Sequence, residues 1–237
     1  MPDTPRPIHV CHVVLSLEVG GMENGLVNVS NRLPRNRFKT TVLCIRRVGP
    51  MAERLAADVN VHCLDCPSGF RLGKVLEMRR YLAQHDFDIL YTHNGAALMW
   101  GAAAMFGHQH PWLVHGEHGN CVSRGALGRL AARRPKAYTA VSANLVAPLK
   151  AVYKLPGADV RVLENGVDTT RFQPGDGTGA LRSEFGIPDH AVLFGIVGRL
   201  EARKNQRIAI RALGDISARL DDGAAPHLIL FGEGGDR

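Results

Sequence analysis

The sequence predicts an α/β fold in which a doubly wound parallel sheet carries helices on both of its faces. Short apolar runs of strand length alternate with segments whose apolar residues recur at helical spacing, the pattern of βαβ units. The chain has 237 residues, of which 45% are apolar and 22% are charged. These values fit one large or two small globular domains and exclude a chain that is disordered or fibrous throughout.

The first part of the chain supplies seven predicted strands. The first, 8–15, is continuously apolar, as expected for a strand buried on both faces. The others are 40–45, 59–64, 88–93, 112–117, 137–141 and 159–164. Helices are predicted over 22–33, where Pro34 ends the helix, over 73–85, over an Ala-rich stretch up to Phe106, and from an N-cap at Ser142 to about Tyr153. Sheets of this kind bind ligands at the C-terminal ends of their strands.

A second, smaller set of elements follows a change in composition. Residues 165–179 are rich in Gly, Thr, Asp and Pro, which indicates a loop or linker. A strand over 191–198, a helix and a strand over 227–232 come next. We therefore expect an N-terminal domain over 1–170, a linker over 171–187 and an incomplete second domain over 188–237.

The positive charge of the chain is unevenly distributed. The net charge is +7, and no acidic residue occurs from His118 to Ala158. In this tract a short predicted helix places Leu127 and Leu130 among the cations Arg129, Arg133 and Arg134. A basic amphipathic helix suits an anionic membrane surface, and a merely solvated helix is the alternative. Nucleic-acid binding is not expected, because a supporting motif and stacking aromatic residues are missing.

No apolar stretch reaches the roughly 18 residues that a membrane span needs, and the N-terminus lacks an apolar signal region. We therefore expect a cytoplasmic protein, with the basic helix as a peripheral contact to the inner face of the membrane. The five cysteines are expected to be reduced thiols. The Cys63–Cys66 pair lacks a second pair, so it is interpreted as incidental rather than as a metal site.

Glycines follow the first strand. Gly20 and Gly21 lie between strand and helix, where small residues let backbone N–H groups approach a phosphate at a helix N-terminus. A tight turn without ligand is the alternative. Glu23 and Asn24, in the first helical turn, are candidate cleft residues. The dinucleotide fingerprint GxGxxG is absent, which disfavours an oxidoreductase.

Polar residues cluster at the ends of the fourth and fifth strands. His93 and Asn94 end one strand, and His115, Glu117 and His118 end the next. A histidine there acts as a hydrogen-bond donor or a proton carrier near neutral pH. Zinc binding is disfavoured, because His115 and His118 on an extended segment point to opposite faces. These residues are candidates for contact with a substrate, and one of the two histidines is expected to be structural.

The segment GIVGRLEARKNQ (195–206) carries two cations at a strand end. Arg199 follows the strand and Lys204 lies at the start of a helix. Bidentate arginine, a lysine point charge and free backbone donors together suit a diphosphate. A solvated basic turn is the alternative.

Six segments, in this order, resemble retaining glycosyltransferases of family 4, which have the GT-B fold. They are GGMENGLVNVSNRL (20–33), HGEHGN (115–120), AVSANL (140–145), LENGVDTTRF (163–172), GIVGRLEARKNQ (195–206) and LILFGEGGDR (228–237). The resemblance runs from about Ile8 to Arg237. Within the family, the chain is most similar to sugar transferases of bacterial exopolysaccharide and PEP-CTERM systems.

The resemblance implies two Rossmann-like domains that face a cleft, with the acceptor on the first and a nucleotide-diphosphate sugar on the second. Here the first domain is complete, and the second comprises only its first strand, helix and strand. Neither a metal nor a cofactor is implied. The implied roles are the donor phosphates for Gly20 and Gly21, the diphosphate for Arg199 and Lys204, the transferred sugar for His118, the hinge for Asn165 and Gly166, and the nucleotide for Gly232 and Glu233.

The activity that the resemblance implies is hexosyl transfer, with retention, to a lipid-linked or growing polysaccharide acceptor. The domain that carries the family's paired glutamates continues beyond the position of Arg237. The 237-residue chain alone is therefore expected to be weakly active or inactive. The alternative is a non-catalytic fragment that binds an acceptor or a membrane.

Overall fold

A computed structural model describes residues 6–119, 125–175, 177, 179–219 and 225–235. The chain divides into two compact units, Met1–Asp168 and Thr169–Arg237, which we call unit 1 and unit 2. None of the helices in the described ranges is long and apolar enough to cross a membrane. The four described cysteines, Cys11, Cys44, Cys63 and Cys66, are free thiols, and Cys121 lies outside the described residues.

Unit 1 is built on a seven-stranded sheet in the order β3-β2-β1-β4-β5-β6-β7. Every neighbouring pair is parallel. The strands are β1 (Ile8–Ser16), β2 (Phe38–Arg47), β3 (Asn60–Cys63), β4 (Ile89–Thr92), β5 (Trp112–Glu117), β6 (Ala137–Ala140) and β7 (Val160–Val162). The predicted α/β class and its parallel sheet are confirmed.

In the part of unit 1 that the structure describes, five α-helices and two 3-10 turns connect these strands. The helices are α1 (Gly21–Arg32), α2 (Leu72–Ala83), α3 (Gly95–Ala104), α4 (Gly125–Ala131) and α5 (Val146–Tyr153), and the turns are Pro50–Arg54 and Ala143–Leu145. Ser142 caps the second turn, since its hydroxyl accepts from the Asn144 N–H at 3.3 Å, and α5 begins only afterwards. Pro148 explains the late start, because it has no N–H to bond the carbonyl four residues earlier.

Two apolar clusters cover the two faces of the sheet. Val13 belongs to a cluster that includes Met78 from α2 and Leu98 from α3. Val14 belongs to the other cluster, with Leu26 and residues of α1 and the first 3-10 turn. Successive side chains of a strand point to opposite faces, which separates the two clusters. The sheet therefore has an α1 side and a side covered by α2, α3 and α5.

The strand order reverses at β1, which lies between β2 and β4. Ligands of doubly wound sheets bind in the crevice beside such a reversal, at the C-terminal ends of the strands. His12 is paired with Tyr91 across β1 and β4, and Gly116 with Thr139 across β5 and β6. All four lie on the α1 side of the sheet, close to this crevice.

Unit 2 contains two parallel strands, β8 (Leu193–Val197) and β9 (His227–Phe231). Helix α7 (Gln206–Ser217) connects them after a 3-10 turn, Ala202–Lys204. The segment expected to be a linker, 171–187, contains a short helix, α6 (Ala180–Phe185), which ends at Gly186 in the left-handed conformation that favours glycine.

Candidate functional site

A cleft of about 360 Å³ opens on the α1 side of unit 1. Helix α1 forms one wall and segment 163–168 another. Between them lie polar side chains from β1, β4 and β6 and from the residues that directly follow β4 and β5, namely His12, Tyr91, His93, His118 and Thr139. Both predicted candidates His93 and His118 therefore line this cleft, which lies where the reversal of strand order predicts a ligand.

Three imidazoles in the cleft form a hydrogen-bonded chain. Nδ1 of His12 lies 2.8 Å from Nε2 of His93. Nδ1 of His93 lies 3.0 Å from Nε2 of His118. The first two rings are buried, with 3% and 4% of their surface exposed, whereas His118 is partly exposed. We call this group the histidine chain.

Burial keeps the histidine chain neutral. Desolvation lowers the pKa of His12 to about 4 and the pKa of His93 well below its ordinary value, and the neighbouring rings lower both further. Burial also lowers the pKa of His118, although the charge of Glu117 opposes this. At neutral pH each ring therefore carries a proton on one nitrogen, and its other nitrogen is bare and able to accept a hydrogen bond.

Tyr91 and Thr139 form the rest of the polar floor. Their hydroxyl oxygens lie 2.6 Å apart, and the ring of Tyr91 stacks on His93 with centroids 4.5 Å apart. Gly116 makes room for this pair, since a Cβ atom there would lie 3.0 Å from the Tyr91 ring and 3.1 Å from the Thr139 hydroxyl.

His115 and Glu117, predicted as cleft residues, lie on the opposite face of β5. His115 is completely buried, with its Nδ1 2.9 Å from the Thr92 hydroxyl. Its Nε2 is 3.7 Å from the carboxylate of Glu117, which is 6% exposed. Alternation along the strand places both away from the cleft, so their assignment to the cleft was wrong. The expectation that one of His115 and His118 is structural agrees with this geometry.

Three further predicted cleft residues also do not line the cleft. Asn94 caps α3, because its side-chain oxygen accepts from the Ala97 N–H at 2.9 Å. The side-chain oxygen of Asn24 accepts from Arg54 at 2.9 Å. Glu23 folds back over Gly20, where a Cβ atom would collide with its carboxylate. Asn94 thus caps its helix, Asn24 joins α1 to the 3-10 turn Pro50–Arg54, and Glu23 lies over the start of α1.

The glycine loop leads directly into α1. Gly20 is the N-cap residue in an extended conformation, and as a glycine it has no side chain of its own to cap the helix. The space around Gly21 is open, since nothing lies within 4 Å of where its Cβ atom would be. The Glu23 carboxylate lies over Gly20 at this turn, so only the Gly21 side is open, and contact with a donor phosphate stays a prediction.

Asn165 and Gly166, predicted to precede the hinge, line the cleft. The side-chain oxygen of Asn165 packs against Gly25 of α1, at 3.4 Å from where a Cβ atom would be. Arg32, also from α1, bonds Asp168 at 2.6 Å. Segment 163–168 is thus fixed to α1 as a wall of the cleft.

In unit 2, Arg199 and Lys204 lie between β8 and α7, as predicted. Arg199 makes an ion pair of 2.5 Å with Glu201, and 47% of its side chain is exposed. Its carbonyl accepts from the buried side chain of Gln206, the first residue of α7, at 2.8 Å. Lys204 is exposed at the end of the 3-10 turn. Both cations therefore stand beside the N-terminus of a twelve-residue helix.

Gly232 and Glu233 form a loop that packs closely on the segment after β8. Gly232 has a φ of 158° and approaches the Gly198 carbonyl so closely that a Cβ atom there would overlap it. The Glu233 carbonyl accepts from the Leu200 N–H at 2.9 Å. The close contact between Gly232 and the Gly198 carbonyl therefore requires glycine at position 232.

The basic tract differs from the predicted amphipathic helix. Helix α4 ends at Ala131, so Arg133 and Arg134 lie in the following turn. Arg134 donates to the Met105 and His108 carbonyls at 2.7 and 2.8 Å, which corrects its assignment to a free surface. Arg129 is half-buried, and Arg133 is exposed. The leucines predicted on the helix, Leu127 and Leu130, are 69% and 61% exposed.

No group of three His, Cys, Asp or Glu side chains in the described ranges is arranged to hold a metal ion. In the histidine chain, the nitrogens that face each other lie within hydrogen-bonding distance of one another. These nitrogens are therefore occupied by hydrogen bonds between the rings.

Residues 19–171 match the sequence profile of Glycosyltransferase Family 4. The chain belongs to this family. The match contains the glycine loop, the histidine chain apart from His12, and the wall formed by segment 163–168.

Two curated glycosyltransferases are similar to this family 4 chain. One is the UDP-Gal:α-D-GlcNAc-diphosphoundecaprenol α-1,3-galactosyltransferase of Escherichia coli, 24% identical over 86% of this chain and 57% of its own length. The other is the GDP-mannose-dependent α-(1-6)-phosphatidylinositol monomannoside mannosyltransferase of Mycolicibacterium smegmatis, 31% identical over 62% of this chain and 40% of its own. The chain thus spans little more than half the length of the first relative.

Solved structures share the fold. HepE of Anabaena in complex with UDP has a TM-score of 0.69 at 21% identity, over 97% of this chain and 61% of its own. Sucrose-phosphate synthase of Thermosynechococcus elongatus has a TM-score of 0.71 at 14% identity, over 95% and 62%. The fold predicted for family 4 is therefore confirmed.

No motif in the sequence indicated His12, Tyr91 or Thr139 as site residues of this family 4 chain. His12 lies inside an apolar run, where a histidine is ordinarily a satisfied core residue. The sequence does contain a signal for these residues, because residues two apart on a strand share a face of the sheet with their partners on parallel neighbouring strands. It becomes usable only once β1, β4, β5 and β6 are known to be neighbours.

Neutral burial of His12 predicts a pH-dependent stability. The unfolded chain binds a proton with a pKa near 6.5, whereas the folded chain does so only near 4, so stability falls as pH drops through this window. His12→Phe should reduce the loss of unfolding free energy between pH 7.5 and pH 5 by about 2 kcal/mol. Denaturant unfolding, followed by the fluorescence of buried Trp100, measures this.

The exposed His108→Gln is the matched control and should retain the wild-type pH dependence. An equal pH dependence in wild type and His12→Phe would show that His12 does not resist protonation.

Proposed function

We propose that the chain is part of a retaining glycosyltransferase that moves a hexosyl group from a nucleotide-diphosphate sugar to a lipid-linked or polysaccharide acceptor. The observation that carries the proposal is the family 4 match over residues 19–171, which covers nearly all of the cleft in unit 1. The proposed pathway is cell-surface or exopolysaccharide synthesis on the cytoplasmic side of the membrane.

The names of the relatives support this choice of substrates. The Escherichia coli enzyme is named for UDP-Gal and a diphosphoundecaprenol acceptor, and the mycobacterial one for GDP-mannose and a phosphatidylinositol mannoside. HepE was solved with UDP. A nucleotide sugar and a lipid-linked acceptor are therefore the substrate classes to test first.

In the proposed reaction, unit 1 binds a group that carries hydroxyls, and it does so through uncharged side chains. The cleft presents a partly exposed neutral imidazole, His118, beside the paired hydroxyls of Tyr91 and Thr139. Neutral donors and acceptors in a partly buried site orient sugar hydroxyls by hydrogen bonds. We assign His118 to contact with the transferred sugar.

The proposed donor site uses fixed cations in place of a metal ion. Negative charge develops on the leaving diphosphate, and cations beside a helix N-terminus stabilise it. Arg199 and Lys204 stand beside the start of α7. Glu201 now holds Arg199 at 2.5 Å, so a diphosphate must compete with this carboxylate. Within unit 2, Gly232 and Glu233 are proposed as nucleotide contacts. In unit 1, Gly20 and Gly21 are proposed separately as backbone donors to a phosphate.

A transfer assay tests the proposed activity. Purified protein is incubated with labelled UDP-galactose, UDP-glucose or GDP-mannose and a polyprenyl-diphosphate-linked sugar, and labelled lipid is counted. We expect slow transfer, lowered on the order of 100-fold by His118→Asn, the loss typical of removing a catalytic hydrogen bond. The exposed His190→Asn is the control. Equal transfer by wild type and His118→Asn would remove His118 from the site.

Arg199→Ala should weaken nucleotide binding. A charged hydrogen bond contributes about 1.5–3 kcal/mol, which corresponds to roughly a 10- to 150-fold rise in Kd for UDP or GDP. Calorimetry measures the Kd, with Arg219→Ala, at an exposed arginine beyond the other end of α7, as the control. An unchanged Kd would leave Arg199 a surface residue. Binding of NAD without UDP or GDP would contradict the glycosyltransferase proposal.

We also propose peripheral membrane association through the exposed leucines of α4 and Arg133. Sedimentation with vesicles that contain anionic lipid should fall as salt rises, because the Debye length shortens to about 8 Å at physiological ionic strength. Leu127→Asp should weaken binding about tenfold or more, the value of burying one leucine side chain. Leu72→Asp, at a leucine that is 70% exposed, is the control. Binding that ignores both salt and Leu127→Asp would refute this surface.

A further inference from the structure

The histidine chain has two internal hydrogen bonds and two ends. The internal bonds join His12 to His93 and His93 to His118. The ends are Nε2 of His12 and Nδ1 of His118. Both are buried, and neither has a hydrogen-bond partner among the described residues. A buried polar atom without a partner requires an explanation, such as an incoming ligand or water.

Counting protons shows that the three rings are coupled. A neutral imidazole carries one N–H and one bare nitrogen, and each internal bond needs one donor and one acceptor. If His12 donates from Nδ1, then Nε2 of His93 is bare and its Nδ1 is protonated. His118 then accepts at Nε2 and carries its proton on Nδ1. The opposite choice at His12 reverses every ring.

Only two neutral states therefore keep both bonds. In one state all three rings carry the proton on Nδ1, and in the other all three carry it on Nε2. Each state leaves one unpartnered N–H at one end and one unpartnered bare nitrogen at the other. The internal bonds are the same in number in both states, so a group that meets one end of the chain selects between them.

We propose that His93 and His12 are positioning residues that set, through this shared tautomer, whether Nδ1 of His118 donates or accepts a hydrogen bond. A hydroxyl can do either, and it is therefore the ligand group that both states accommodate. The identity of that hydroxyl as a sugar hydroxyl rests on the proposed function. The coupling itself is a property of unit 1 alone.

The surroundings support a neutral, ordered chain. Burial lowers the pKa of all three rings, so a charged ring does not relieve the coupling. Tyr91 stacks on His93, and its hydroxyl is already paired with Thr139, so it does not compete for the internal bonds. The ring of His93 is held between two partners, with one nitrogen bonded to each.

Nitrogen NMR of the free protein, labelled with 15N-histidine, tests the coupling without any substrate. The two ring nitrogens of each histidine report the fraction of the Nδ1–H tautomer. We expect the same fraction in all three rings at pH 7.5. Unequal fractions in the wild type would overturn the proposal, whether or not the protein transfers sugar.

His93→Phe removes the link, so the fractions at His12 and His118 should no longer match. His12→Phe leaves one bond intact, so His93 and His118 should still agree with each other at a new common value. His9→Phe is the control, since His9 is a buried histidine of the same strand, 2.9 Å from the Thr41 hydroxyl, and it should change none of the three.

Matching fractions that persist in His93→Phe would show that the agreement has another cause, and the proposal fails. If His93→Phe does not fold, the His12→Phe comparison decides. In that comparison, a wild-type fraction at His118 would show that His12 does not act on it.

Discussion

The parallel pairing of β1 with β4 decides where the residues of the cleft lie. It sets His12 opposite Tyr91, and alternation then places His93 on the same side of the sheet. The same rule carries Gly116 and Thr139 to that side through β5 and β6. A shift of one residue in this register would exchange every one of these side chains for its neighbour on the other face. The set of side chains that faces the cleft in unit 1 is therefore determined mainly by the register of the sheet.

Burial without charge is the second constraint. Three imidazoles share a small volume, and a positive charge on any of them would meet poor solvation and repulsion from the next ring. Hydrogen bonds between neutral rings avoid this cost, because each ring supplies the partner that the next one needs. The arrangement makes the site polar and directional, while the pKa shifts keep it uncharged near neutral pH.

Most of the fold of unit 1 and part of its cleft could be predicted from the sequence, and the site residues that were missed have identifiable causes. The seven strands of unit 1 were predicted because apolar runs bounded by turn residues are a local signal. His93 and His118 were found because both follow strands directly. His12 was missed because its partner is 81 positions away, at His93, and only strand order reveals that they meet.

The wrong assignments have two causes. His115 and Glu117 were placed in the cleft because they are near its residues along the chain, although their strand turns them to the opposite face. Arg134 was assigned to the surface because it is an arginine in a basic tract. In the structure Arg134 donates hydrogen bonds to two backbone carbonyls, and a pattern of charges along the sequence does not show such bonds. Proximity along the chain and charge alone do not determine which direction a side chain takes.

The candidate ligand-binding side chains of the two units differ in charge, and this difference supports separate proposed roles for the units. In unit 1 the imidazole rings in the cleft are uncharged, which suits a ligand that is bound through its hydroxyl groups. In unit 2 exposed cations stand beside the positive end of α7, which suits a ligand that brings negative charge. The Arg199–Glu201 pair refines that comparison. An arginine already neutralised by a carboxylate attracts a weak anion poorly, whereas a diphosphate offers more charge and more acceptors than the carboxylate it displaces. A site built in this way favours a strongly charged anion over a weak one, whereas the neutral histidine chain in unit 1 favours an uncharged ligand that carries hydroxyl groups.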